Sequence, residues 1–444
     1  MSWKSLNKLV ACNLVLAALL FPSSGAYALP SFERQTGKEC TVCHVNFPEL
    51  TPYGRQFKLR GYTLGKQAFP LAGMIQASKT STNNFAGVDS TEFPKNNELV
   101  LQAASLFYGG KITDHSGAFS QWTYDGVTHS AQIDNTDIRY ANTTLVNGKE
   151  LIYGLTLNNN PTVQDIWNST PAWRFPFASS SVAITPAASP LIEGGLAAQV
   201  AGLGAYTFWN NNVYAELSAY HTANGALSAF RTGTNAAAGG RNELKGLAPY
   251  WRLAVENDWD NHTHSLMLGT FGLIADKYPD NTNPTGPTDR FKDLGVDAQY
   301  QFITDAHRFS AQTSLIHEKQ DWNATFPVGG AANPSNVLKT FNAKLMYYYQ
   351  RKYGTALAYF STTGDTDAGL YAPAAVTGSS SGSPNSHGYV MELNYMPELP
   401  WGDIRLTLQY TAYQKFNGAS HNYDGAGRNA SGNNTLYLNA WFMF

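Results

Sequence analysis

The chain has 444 residues, only 14% of them charged, and a formal net charge of −2. Soluble domains usually carry about 25% charged residues, and a near-neutral chain lacks the basic surplus that nucleic-acid binding needs. No stretch beyond residue 28 has 18 consecutive apolar residues, which excludes helical membrane spans. What remains, with aromatics at 13% and 25 tyrosines, is the composition of a transmembrane β-barrel.

Residues 1–28 read as an export signal. Lys4 and Lys8 begin it, an apolar run covers Leu14–Phe21, and Ala26-Tyr27-Ala28 is a small-x-small cleavage site. The run is too short for a membrane anchor. Leu9-Val10-Ala11-Cys12 precedes the apolar run instead of following it, as a lipoprotein box would not. Cleavage would leave Cys40 and Cys43 as the only cysteines and lower the formal charge from −2 to −4. An exported chain with one cysteine pair has no wider disulfide framework.

Residues 29–70 contain Cys40-Thr41-Val42-Cys43-His44. Two cysteines three apart lie on one side of a helical turn, where both reach the vinyl groups of one haem; the following His then faces the iron. Cys40 and Cys43 are thus the candidate covalent attachments of a single haem c, and His44 is its candidate proximal ligand. Zinc would require about four ligands, and a thioredoxin-like pair would require a βαβ context. Neither is present. A segment this short rarely buries enough surface to fold alone, so a haem would form much of its core.

Thr51 at an N-cap, Pro52 at the first position and Gly61 past the end predict a helix over "PYGRQFKLR". Tyr53 and Phe57 would share one face, packed on the porphyrin or on the preceding helix. Arg55, Lys58 and Arg60 are candidate haem-propionate contacts, or simply a solvated helix face. Met74 is the first Met or His after the motif and the candidate distal iron ligand. Wall or lipid packing competes for it, because it opens the first predicted strand. His115 and His129 are weaker candidates.

From residue 71 to 444 the chain alternates in polarity. In "DIRLTLQYTA", Ile404, Leu406, Leu408, Tyr410 and Ala412 share one face, with Arg405, Thr407, Gln409 and Thr411 on the other. "LGVDAQY" (294–300) and "YVMELNY" (389–395) behave alike. A soluble sandwich alternates too, so loop length has to decide. About sixteen such segments begin near residues 71, 98, 117, 133, 151, 196, 212, 249, 263, 292, 307, 339, 353, 388, 403 and 434. From the middle onward the connections alternate between short, as in 259–262 and 350–352, and long, as in 222–248 and 362–387. Short periplasmic turns and long external loops are the barrel pattern. The alternating "TLYLNAWFMF" ending at Phe444 resembles the C-terminal strand of outer-membrane proteins. The fold class is therefore all-β: a transmembrane antiparallel β-barrel of about 16 strands, carrying a small N-terminal helical c-type cytochrome segment.

One CxxCH, "FPELTPYGRQFKLRGYTL" (47–64), "NNNPTVQDIWNSTPAWRFPF" (158–177) and a barrel ending in Phe together resemble the outer-membrane fused monohaem cytochrome c–porin family of iron-oxidising bacteria. The segment 158–177 looks like that family's long third extracellular loop. The resemblance implies an integral outer-membrane protein oxidising extracellular Fe(II), an Fe(II):cytochrome c oxidoreductase, with electrons passing to a periplasmic cytochrome or other carrier. From the family pattern only Cys40, Cys43 and His44 carry over. No group of loop histidines and carboxylates has metal-ligand spacing, so no Fe(II) site is named. Two other readings stay open: a porin for passive small-solute diffusion with a haem-bearing plug, and a haem conduit for another extracellular donor. Partners beyond these are outer-membrane lipid; no nucleic acid is expected.

Overall fold

The computed structural model describes residues 30–85, 95–232, 242–281, 284–397, 399 and 403–444. The export signal lies outside the described residues. Three short helices, α1 (Pro30–Thr36), α2 (Cys40–Cys43) and α3 (Pro52–Leu59), accompany a two-stranded ribbon of β1 (His44–Asn46) and β2 (Glu49–Leu50). Sixteen strands follow, from β3 (Leu71–Thr82) to β18 (Thr435–Met443), each antiparallel to the next. β18 pairs with β3 and closes the barrel. At that seam Phe444 and Gly73 exchange both backbone hydrogen bonds, at 2.8 and 3.0 Å.

Every predicted strand start falls within four residues of an observed one; the widest offsets are 196 against Val200 and 339 against Ser335. Strand lengths differ more. A tilted strand needs about nine to eleven residues to cross a bilayer, whereas strand Ser130–Val146 has 17, because it pairs with one neighbour over Ser130–Tyr140 and with the other over Asp137–Val146. The short connections (112–115, 147–148, 210–212, 260–263, 304–306, 350–352 and 396–402) all lie at the end where β3 begins, which is the periplasmic end. The opposite connections are long, except 126–129.

Burial is inverted relative to a soluble protein. On strand β17 (Asp403–Lys415), Leu408 is 39% exposed while its neighbour Gln409 is 2% exposed. On β12 (Asp289–Ile303), Leu294 is 55% exposed and Asp297 is buried. Period-2 alternation therefore puts apolar residues outside and polar residues in the lumen. Water would not reward such an outside; lipid does, and a closed barrel leaves no unpaired backbone edge within it. At the periplasmic ends of the strands Trp209, Trp259, Tyr349, Tyr353 and Tyr395 point outward as an aromatic girdle. No described helix is long and apolar enough to cross a membrane. The molecule is a porin-type barrel integral to the outer membrane.

Two pieces of chain enter the lumen. Residues 30–70 fill its periplasmic half. The long third external connection, 159–199, folds inward between β7 (Lys149–Asn158) and β8 (Val200–Trp209). Asn159 and residues 162–170 of that loop are buried. Trp167 is wedged at mid-lumen: its indole donates to Glu256, and its carbonyl accepts from Gln299 at 2.7 Å and Gln312 at 3.0 Å.

Leu408 lies opposite Leu393 and Leu438, mid-strand on the outer face. Leu408→Arg is expected to cost about 2–4 kcal/mol, read as a lower urea midpoint for folding into liposomes. An unchanged midpoint would mean that this face does not meet lipid.

Candidate functional site

The plug is built as its sequence suggests. Thr51 caps α3: its hydroxyl accepts from Gly54 N at 3.2 Å and donates to the Val42 carbonyl at 2.6 Å, which ties the helix to the CxxCH turn. Gly61 sits past the helix end at φ +67°. Gly54 lets α3 press against the turn; a Cβ there would collide with the Cys43 carbonyl. α1 packs behind. Phe32 meets Phe57 edge-on at 4.9 Å and stacks on Tyr62 at 5.6 Å, and the Gln35 amide donates to the Tyr62 and Leu64 carbonyls.

Cys40, Cys43 and His44 open onto one cavity of about 430 Å³ between plug, barrel wall and inward loop. That lies in the range of small-molecule and cofactor sites. Its walls are largely aromatic: Phe57 from the plug, Phe107, Phe119 and Trp441 from the barrel, Trp173 and Phe177 from the loop. Met74 faces this cavity and not lipid. It is 3% exposed and paired in register with Met443, whose side chain enters the same space. Met443 was not singled out in the sequence. Its position on the closing strand, next to Met74, is a product of barrel closure.

His44 is set by its surroundings. The Pro48 carbonyl lies 3.1 Å from Nδ1 and accepts its proton, which puts the ring's lone pair on Nε2. Desolvation, aided by the nearby Arg308 charge, draws its pKa down to about 4, so the ring is a neutral imidazole. Arg308 donates to the His44 carbonyl at 2.6 Å, and Arg405 donates to the Phe47 carbonyl at 3.2 Å. Two wall arginines thus hold the motif from both sides. Burial pushes the Cys43 thiol up to about 11, the reverse of the low-pKa thiolate that a redox cysteine pair uses.

The three basic residues of α3 have separate roles. Arg55 forms a buried ion pair with Glu256 at 3.0 Å and donates to Gln301 at 2.8 Å and Ser265 at 2.7 Å. Arg60 pairs with Glu150 at 2.8 Å. Both anchor the plug to the wall, and neither lines the cavity. Lys58 does line it. Its ammonium donates to the Val163 and Asp165 carbonyls at 2.6 and 2.8 Å and lies 4.9 Å from the Trp173 ring. Burial, with Arg139 nearby, draws it down to about 7. Further ties come from Glu49 with Lys344, Tyr62 with Asp137 at 2.7 Å, and Asn168 accepting from the Leu50 amide at 3.0 Å. Phe57 both lines the cavity and packs on α1; Tyr53 does not line it. His115 and His129 belong to the short connections and also stand outside it.

The residues fit a haem c. Two cysteines share one helical turn, a neutral imidazole has its far nitrogen already satisfied, and two thioether sulfurs stand on the wall. The space between them is mostly apolar, with Glu33, Gln76 and Gln121 also on its lining and the buried Lys58 ammonium donating to two carbonyls. Among the described residues no group of three His, Cys, Asp or Glu could hold a separate metal ion.

No family model matches the chain, and no curated protein matches it. Among solved structures it is similar to the outer membrane channel DcaP of Acinetobacter baumannii, at 14% identity over 84% of this chain and 96% of that one, with a TM-score of 0.44. It is also similar to an anion-selective porin from Comamonas acidovorans, at 11% identity over 85% and 99%, TM-score 0.44. A third is Salmonella typhi OmpF, at 11% identity over 85% and 100%, TM-score 0.44. At these values they add nothing beyond the barrel geometry itself.

Arg55→Ala would strand Glu256 in the lumen. The loss of one partner of a buried pair costs about 3–5 kcal/mol, so plug docking is expected to weaken, with a lower melting temperature and new conductance in planar bilayers. An unchanged melt and a silent bilayer would show that Arg55 does not anchor the plug.

Proposed function

We propose that the chain is an outer-membrane electron-transfer protein that oxidises extracellular Fe(II) and delivers electrons to a periplasmic cytochrome or other carrier. It would act as an Fe(II):cytochrome c oxidoreductase. Residues 29–70 would be the monohaem cytochrome c segment and 71–444 the barrel. The observation that carries the reading is the convergence of Cys40, Cys43, His44 and Met74 on one aromatic cavity inside the barrel. Cys40 and Cys43 would hold haem c by thioether bonds, His44 would be the proximal ligand and Met74 the distal one. When bound, the haem supplies a one-electron couple tuned by its axial ligands and burial.

The chain's own residues do the rest. Pro48 and Arg308 orient the His44 ring and backbone. Phe57, Phe107, Phe119 and Trp173 give the cavity apolar walls, and burial against such walls tunes a haem potential. Lys58 would offer a positive charge to a haem propionate. The ion pairs of Arg55, Arg60 and Glu49 keep the plug seated between outside and periplasm. Each Fe(II) oxidised would leave one Fe(III) outside and send one electron inward, with no proton transfer required of a side chain.

The barrel type also supports a second reading, passive diffusion of small solutes. In that reading residues 30–70 are a haem-bearing plug that buried ion pairs tie to the wall. The test is anaerobic titration of the protein with Fe(II), after maturation by a c-type cytochrome system and reconstitution in liposomes. A reduced c-type spectrum on Fe(II) addition, with no swelling in small sugars, is expected; Cys40→Ala should lose covalent haem. Colourless protein with swelling liposomes would favour diffusion, and reduction by organic donors alone would favour a conduit for another donor.

Thioether ligation opposite His raises the potential of a haem. Met74→Ala is therefore expected to lower the midpoint potential. An unchanged potential would remove Met74 from the distal position.

A further inference from the structure

A second cavity, of about 370 Å³, lies on the other side of the inward loop. Its walls are the lumen faces of β13 (His307–Asp321), β14 (Ser335–Tyr349), β15 (Tyr353–Gly364), β16 (Ser386–Tyr395) and β17. Thr362 and Tyr413, near the external ends of β15 and β17, mark its upper rim. The exposed Ser189 of the loop belongs to it as well. The plug contributes nothing to it, so it stands on the extracellular side of the cavity that holds the CxxCH motif.

Arg174 and Pro176 line both cavities. Between and beyond them, Phe175 faces the outer cavity and Phe177 the inner one, with ring centroids 5.5 Å apart and planes at 89°. The partition is therefore the thickness of one loop strand, spanned by two rings in contact. Arg174 is neutralised by Glu193, which also accepts from the Thr340 hydroxyl at 2.7 Å. Lys344 is neutralised by Glu49. The remaining lining is largely hydroxyl and amide, including Ser314, Thr340, Asn342 and Thr411.

Resting on the function proposed above, we propose that this outer vestibule is the docking site for the extracellular donor, a hydrated divalent cation that keeps its water shell, and that residues 174–177 are the partition its electron crosses. The walls lack the imidazoles, thiols or clustered carboxylates that would strip the shell, and no such group of three exists among the described residues. Hydroxyls and amides bind the outer face of coordinated water. A shell of six waters at roughly 30 Å³ each needs on the order of 200 Å³, which the vestibule holds. One electron leaves the cation, its charge rises from two to three, and no bond to the protein forms or breaks. The product is released on the side from which the donor came.

The test uses Asn342→Cys, because Asn342 faces the vestibule half-buried and is in no ion pair. In intact cells the new thiol should react with a membrane-impermeant maleimide. The adduct should slow haem reduction by Fe(II) at least tenfold while leaving the haem spectrum, the dithionite end point and the midpoint potential unchanged. A thiol that stays unlabelled from outside, or a labelled protein reduced at the original rate, would overturn the vestibule assignment. A wild-type haem that ignores Fe(II) would overturn the function proposed above, before any label is added, and the donor assignment would fall with it.

Discussion

Within the hydrocarbon core no water is present to accept a backbone hydrogen bond, so the sheet has to close. Closure at sixteen strands leaves a lumen too wide for wall side chains alone to fill. Because the outside must be apolar, alternation sends the polar half of each strand inward. The lumen is thus lined by Arg139, Arg252, Glu256, Asp297, Arg308, Lys344 and Arg405, all buried. Such a lining will accept a filling only if the filling brings matching charges and hydrogen bonds.

Residues 30–70 and the inward loop bring them. Arg55 answers Glu256, Glu49 answers Lys344, and Asp165 of the loop answers Arg252 at 3.3 Å, which also pairs with Asp297 at 2.8 Å. Backbone carbonyls of the plug answer Arg308 and Arg405. A hydrophobic plug would leave Glu256 and Lys344 without their ion-pair partners, at a cost of several kcal/mol each. Polar complementarity seats the plug, and it does so without needing the segment to fold alone.

Inside this polar frame lies an apolar island. Phe107, Phe119 and Trp441 break the polar alternation of the wall just where Phe57 of the plug and Trp173 of the loop meet them. His44 and both cysteines open onto this island, and Met74 and Met443 close it from the seam strands. On the far side of the loop the lining returns to hydroxyls and amides. The lumen therefore changes character across a single strand of loop, from an outer chamber richer in hydroxyls and amides to an inner one richer in aromatic rings.

Strand number, strand starts and the sorting of loops by length were legible in the order of residues, because pleating has a period of two and each strand carries that period locally. The α3 helix was legible from Thr51, Pro52 and Gly61 for the same reason: caps act over one turn. The CxxCH spacing was equally local. The roles of Arg55, Arg60, Met74 and Met443 were not. Arg55 reads as an exposed helix cation until Glu256, some two hundred residues later, is brought against it. Met74 reads as wall or ligand until the register of β3 turns it inward, and Met443 acquires a role only when β18 pairs with β3. Local chemistry determined the elements and the CxxCH motif; ring closure across distant strands decided which side chains share a cavity, because those contacts depend on register and shear around the whole barrel and on no neighbouring residue.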